Sequence, residues 1–208
     1  GLTQIKAAID AMAPSGATNV PEGMAWGWRT ISSGEPFAQG RAETERGNDK
    51  VVIVLTDGAN TYYTPSSLGY SDPAGNKSTY SAYGYTAPGY NGTGEARLFG
   101  GTSGAIGRYD YSNANYTKAL NEHVAALCAN VKAGNVLVMT IALDLDAGNA
   151  EEAEQIAALK ACASDSRFRK DPTDPTKPAK LFWNATGATL SNDFKEIGNE
   201  LSNLRIVG

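Results

Sequence analysis

The stretch Val51-Val-Ile-Val-Leu-Thr-Asp-Gly-Ala-Asn60 decides the fold of this chain. An apolar, mostly β-branched run stops at once on Thr56-Asp57-Gly58. Such a run fits a strand buried on both faces of a parallel sheet. The carboxylate at its end then sits at the carboxyl edge of the sheet, where open α/β folds bind their ligands. Upstream, Gly16-Ala-Thr-Asn-Val-Pro-Glu-Gly23 reads as a polar loop running into a helix. Asn19 is the N-cap, Pro21 lies near the first helical position and Glu22 is in the first turn. Met24, Trp28 and Ile31 give that helix an apolar face, and residues 33–49 read as a Gly-rich loop. Before it, Leu2, Ile5, Ile9 and Met12 keep helical spacing until Pro14-Ser15-Gly16 ends the pattern.

Downstream, residues 59–112 hold nine of the ten tyrosines and are dense in Gly, Ser, Thr and Asn, with no helical period. This reads as an insertion with short hairpins that leaves beside Asp57. A loop of that length in a compact domain is commonly functional. Regular structure returns with Tyr116, Leu120, Val124, Leu127 and Val131, a helix that stops at Gly134. Val136–Leu143 is a second buried strand ending on Asp144, and Ala150–Ala163 is another helix. Residues 165–179 read as a polar, Pro-rich excursion, Leu181-Phe182-Trp183 as a third strand, and Phe194, Ile197, Leu201 and Leu204 as the last helix. Strand and helix alternating three times predicts a doubly wound α/β domain with a mainly parallel sheet and helices on both faces.

With 208 residues, 41% of them hydrophobic and 19% charged, the chain can bury one substantial core and is read as a single domain over 1–208. A formal net charge of −4 argues against nucleic acid as a partner. No apolar stretch approaches the roughly 20 residues of a membrane-spanning helix. The two cysteines, Cys128 and Cys162, fall on helices that flank one strand. They are either a disulfide, which implies an oxidising compartment, or two buried thiols.

Taken together, Gly16-Ala-Thr-Asn-Val-Pro-Glu-Gly-Met-Ala-Trp-Gly-Trp28, Ser33-Gly-Glu-Pro-Phe37 and Val54-Leu-Thr-Asp-Gly-Ala-Asn-Thr61 resemble the von Willebrand factor A domain. They are more specifically similar to the C-terminal A domain of bacterial tight-adherence (TadG-type) pilus-assembly proteins. Leu159-Lys-Ala-Cys-Ala163 and Phe194–Arg205 share that likeness. The resemblance implies a non-catalytic adhesion or assembly module of the bacterial cell envelope, periplasmic or extracellular, attached to the membrane through an N-terminal anchor absent from this chain. It also favours the disulfide.

In that family a Thr and an Asp help hold a divalent cation, and the resemblance places Thr18 and Asp57 in those roles. Both are hard oxygen donors suited to Mg²⁺ or Mn²⁺, or to Ca²⁺. The family takes further ligands from an Asp-x-Ser-x-Ser loop after its first strand and a last one from an acidic side chain on a protein partner. This chain has no such loop. Asp110-Tyr-Ser-Asn-Ala114 lacks the final Ser and follows no apolar strand. The chain is therefore expected to be an N-terminally incomplete A domain that binds little metal alone. Its Val51–Leu55 edge should be covered by a missing N-terminal segment or by a second copy.

Asp144 and Asp146 end the second strand on the same edge and read as solvated loop acids, with support of a cation as the alternative. His123, the sole histidine, reads as a surface or groove residue rather than a general base. No nucleophile elbow or phosphate loop appears. The alternatives to adhesion are a metal-dependent hydrolase and a metal-free structural or glycan-contact domain. The tyrosines of the insertion serve either a protein or glycan contact or their own packing. Asn-x-Ser/Thr strings at Asn76, Asn91, Asn115 and Asn184 read as chance.

Overall fold

Residues 1–72, 77–86, 97–107 and 110–204 are described by a computed structural model. Asn76, Asn91, Tyr90 and Tyr109 lie outside the described residues. The chain order is α1 (Leu2–Asp10), α2 (Val20–Ile31), β1 (Lys50–Thr56), β2 (Tyr80–Ser81), β3 (Gly84–Tyr85) and α3 (Asn113–Ala133). It continues with β4 (Val136–Leu143), α4 (Ala150–Cys162), β5 (Asp165–Lys170), β6 (Pro178–Lys180), β7 (Phe182–Ala185) and α5 (Leu190–Leu204).

The main sheet is parallel, in the order β1-β4-β7. Period-two alternation sends Val52 and Val54 of β1, with Val136, Val138 and Ala142 of β4, to one face. There they meet Val20 and Met24 of α2, Val124, Cys128 and Val131 of α3, and Leu159 of α4. Met139 and Ile141 of β4 and Trp183 and Ala185 of β7 point to the other face, against Ile197 of α5. Each such large side chain, fully buried, stabilises by roughly 1.5–3 kcal/mol. Helices on both faces of a parallel sheet make the expected doubly wound α/β fold.

The helix signals hold. The Asn19 side chain accepts from the Glu22 amide at 3.1 Å, as an N-cap should. Ser112 caps α3 and Asn149 caps α4 in the same way. Cys128 and Cys162 form a disulfide with Cα atoms 5.3 Å apart, joining α3 to the last turn of α4.

Two expectations need correction. The strand β1 is not buried on both faces: Ile53 is 41% and Leu55 43% exposed. The second face has α5 over β4 and β7 and no described helix over β1. This strand is also an edge of the sheet, as expected. In α1 none of the residues is buried, and Leu2, Ile5 and Ile9 are exposed. The second correction concerns residues 165–179. They are not an irregular excursion, because β5 pairs antiparallel with β6 through an irregular register. Its residues Asp165-Ser-Arg-Phe-Arg-Lys170 carry no apolar alternation to announce a strand. A buried polar pair holds it instead, with the Glu200 carboxylate of α5 accepting from Ser166 at 3.0 Å and from Arg169.

The insertion is organised around its own core, in which Tyr62, Leu98, Phe99 and Ile106 pack on Tyr116, Ala119 and Leu120 of α3. Burial pushes the Tyr116 hydroxyl up to about 12. The tyrosines therefore divide. Tyr62 is buried and Tyr83 and Tyr111 pack on the cluster, whereas Tyr63, Tyr70, Tyr80 and Tyr85 are exposed.

Candidate functional site

The carboxyl edge of the main sheet is built by two loops that lie about 40 residues apart in sequence and are stitched together. The Thr18 amide donates to the Thr61 hydroxyl at 2.8 Å, and the Thr61 amide donates back to the Thr18 carbonyl at 2.9 Å. The Val20 amide, in the first turn of α2, donates to the Asn60 side chain at 2.9 Å. Asn60 is 1% exposed, and its amide group donates onward to Asn121 at 2.8 Å and Gln155 at 3.1 Å. It thus ties the N-terminus of α2 to α3 and α4. Sequence reasoning missed this residue, because an Asn after Asp-Gly-Ala looks like ordinary turn chemistry.

Within the turn, the Thr56 hydroxyl donates to the Gly58 carbonyl at 2.8 Å and accepts from the Gly58 amide at 3.3 Å. Asp57, between them, is exposed. A methyl group on Gly58 would sit 3.5 Å from the Thr18 hydroxyl oxygen. The structure therefore brings the Thr18 hydroxyl alongside the residue that follows Asp57. Asp144 lies on the same edge, two residues beyond the Thr56–Ala142 register pair. It has φ +52°, its amide donates to the Ala185 carbonyl, and its carboxylate accepts from Gly187 at 3.1 Å. Its first task is to join the β4 and β7 ends. The Asp146 carboxylate accepts from Gly148 at 2.8 Å in the turn before α4. His123 lies 3.1 Å from the Gly100 carbonyl, on the side of α3 that meets the insertion.

A hard cation takes about six to eight oxygens. Thr18 and Asp57 offer at most three side-chain oxygens between them. Among the described residues no group of three or more His, Cys, Asp or Glu is placed to hold an ion. Among the described residues this donor set does not complete a cation site.

Two grooves adjoin the edge. One, of about 320 Å³, runs along the free side of β1 from Val52 to Thr56 and is walled by Val20, Gly23, Met24 and Gly27 of α2, with Thr18 at its end. A methyl group on Gly23 would meet nothing within 4 Å, and one on Gly27 would meet only Val52, at 3.7 Å. Small residues one turn apart thus keep the helix wall shallow. The other groove, of about 670 Å³, lies between the Thr18 loop and the tyrosine-rich insertion.

Fold and site together define an α/β domain with two hydrogen-bonded loops at the carboxyl edge of its sheet. Comparisons with protein-family models, with curated proteins and with solved structures gave no match. Among the described residues no helix is long and apolar enough to cross a membrane. The disulfide points to an oxidising compartment.

Proposed function

We propose that this chain is part of a von Willebrand A-type adhesion or assembly module, of the kind found in bacterial tight-adherence pilus assembly, and that it works outside the cytoplasm in the periplasm or beyond the cell. The observation that carries the reading is the pairing of the Thr18 loop with the Thr61 end of the Asp57 turn, at 2.8 and 2.9 Å. It sets two hard oxygen donors on one sheet edge, next to a groove that opens along β1. In this reading the chain recognises and does not catalyse. Thr18 and Asp57 supply part of the coordination of Mg²⁺ or Mn²⁺, and an acidic side chain on a protein partner supplies another part.

The remaining ligands come from a strand added to β1. An extended segment laid along that free edge gains main-chain hydrogen bonds and covers apolar side chains. In the groove beside α2 it ends at Thr18. Neighbouring polypeptide or a second copy of the chain provides it.

The test is Mn²⁺ titration, read by water-proton relaxation, into the chain alone and with a short aspartate-containing peptide. The reading expects weak uptake that the peptide strengthens and that Thr18→Ala and Asp57→Asn each reduce. No uptake in either condition, or uptake indifferent to both substitutions, rejects it.

A further inference from the structure

The Thr18 loop has a second side, turned toward the insertion. Gly16 and Asn19 wall the 670 Å³ groove there, opposite Tyr62, Tyr63, Tyr80 and Tyr83. Its size falls within the roughly 300–1,000 Å³ of small-ligand sites. Two of the rings are fixed. Tyr62 is 5% exposed and its hydroxyl shares a hydrogen bond with Thr86 at 3.0 Å. The Tyr83 hydroxyl donates to the Asn19 side chain at 3.3 Å, and burial raises its pKa. The other two are presented to solvent. Tyr63 is 38% exposed, and Tyr80, on the β2–β3 hairpin and packed edge-on against Tyr85 at 5.5 Å, is 77% exposed. A cluster of exposed aromatic rings on a compact scaffold marks an interaction surface.

The chemistry of the lining selects the ligand. No described lining residue carries a formal charge, so neither a phosphate nor an acidic or basic peptide finds a counter-ion there. Among the described lining residues Leu68 is the one aliphatic side chain larger than Ala, so the apolar surface there is almost wholly aromatic rings. What remains is ring faces bordered by neutral hydroxyl and amide groups. A pyranose matches both features, with C–H groups on one face to lie on a ring and hydroxyls around its rim to exchange hydrogen bonds.

We propose that the groove between the Thr18 loop and the β2–β3 hairpin binds a neutral oligosaccharide, with Tyr63 and Tyr80 as the stacking platforms. This site is separate from the cation edge and needs no metal. Calorimetric titration of the chain with maltoheptaose and with chitohexaose, in Mg²⁺ and again in EDTA, tests it. The two sugars distinguish a glucose polymer from an N-acetylated one. Saturable binding of either at up to millimolar concentrations, equal in Mg²⁺ and EDTA, is expected. Tyr80→Ala weakens it about fivefold, while Tyr80→Phe keeps it within about twofold because the ring, not the hydroxyl, provides the platform. Tyr80 is too exposed for either change to unfold the domain, and Tyr63→Ala is the second variant. Binding of neither sugar overturns the proposal, as does binding that both alanine variants retain in full. Loss of binding in EDTA assigns the sugar to the cation edge and overturns the groove. Preference for an uncharged Gly/Ser/Pro decapeptide over both sugars also overturns it, in favour of a protein partner.

Discussion

Removing the bridge between Cys128 and Cys162 should cost about 4 kcal/mol of folding stability. The two cysteines lie 34 residues apart in sequence. Closing a loop of that length restricts the unfolded chain by about 13 cal/mol/K, which is the source of the estimate at 25 °C. The loop contains β4, the central strand, so the bridge closes α3 and α4 over the middle of the sheet. Both cysteines are buried, at 2% and 4% exposure, and Cys128 packs in the same cluster as Val131, Val138 and Leu159. Replacement of both by Ala adds a small packing loss to the entropic one. Since a domain of this kind has a total stability of about 5–15 kcal/mol, the double variant should be near the limit of folding at 37 °C. The assay is urea unfolding of the oxidised chain, the reduced chain and the double Ala variant, followed by tryptophan fluorescence, with thiol titration confirming the redox state. The oxidised form should have the higher midpoint, and its slope should be smaller because its unfolded state stays more compact. A difference below about 1 kcal/mol between oxidised and reduced chains, with the thiols verified, would refute the reasoning.

Four other outcomes follow from particular contacts. Asn60→Ala leaves the Val20 amide without its buried acceptor and removes the side-chain donor to Asn121 and Gln155, although the backbone amide at position 60 still reaches Gln155, and should destabilise by roughly 2 kcal/mol in urea melts, more than the roughly 1 kcal/mol of Asn19→Ala, which removes only a helix cap. Arg169→Met leaves the Glu200 carboxylate buried with Ser166 alone and should cost roughly 3 kcal/mol, much of it recovered in the double variant Arg169→Met/Glu200→Leu. The Glu43 carboxyl is held down at about 2 from an ordinary 4.5 by its hydrogen bond to the Lys50 ammonium. Its contribution is therefore present above about pH 4.5 and lost as pH falls toward 2, and Glu43→Gln should flatten the acid limb of a stability–pH curve while a curve of unchanged shape counts against the pairing. Ile53→Lys, on the open face of the edge strand, should lower self-association in light scattering and shift stability by no more than about 0.5 kcal/mol.

Local signals in the sequence determined most of the architecture. The apolar runs Val51–Leu55 and Val136–Leu143 specified the central strands, and Asn19 marked the start of α2, because a strand or an N-cap depends on residues close in sequence. The strand β5 escaped notice for the converse reason. Its place is set by a hairpin with Pro178–Lys180 and by an ion pair with Glu200, some 30 residues on, and neither leaves a trace in its own periodicity. The same limit applies to the site. Composition showed that Thr18 and Asp57 are oxygen donors, but only the hydrogen bonds between Thr18 and Thr61 put the two loops on one edge. The tyrosine-rich insertion was visible as a composition bias. Which of its rings pack on α3 and which face the groove was decided by tertiary burial of Tyr62 and Tyr116. Secondary structure is legible because its periods are short. Exposure and the meeting of distant loops are not, because they depend on how the whole chain closes on itself.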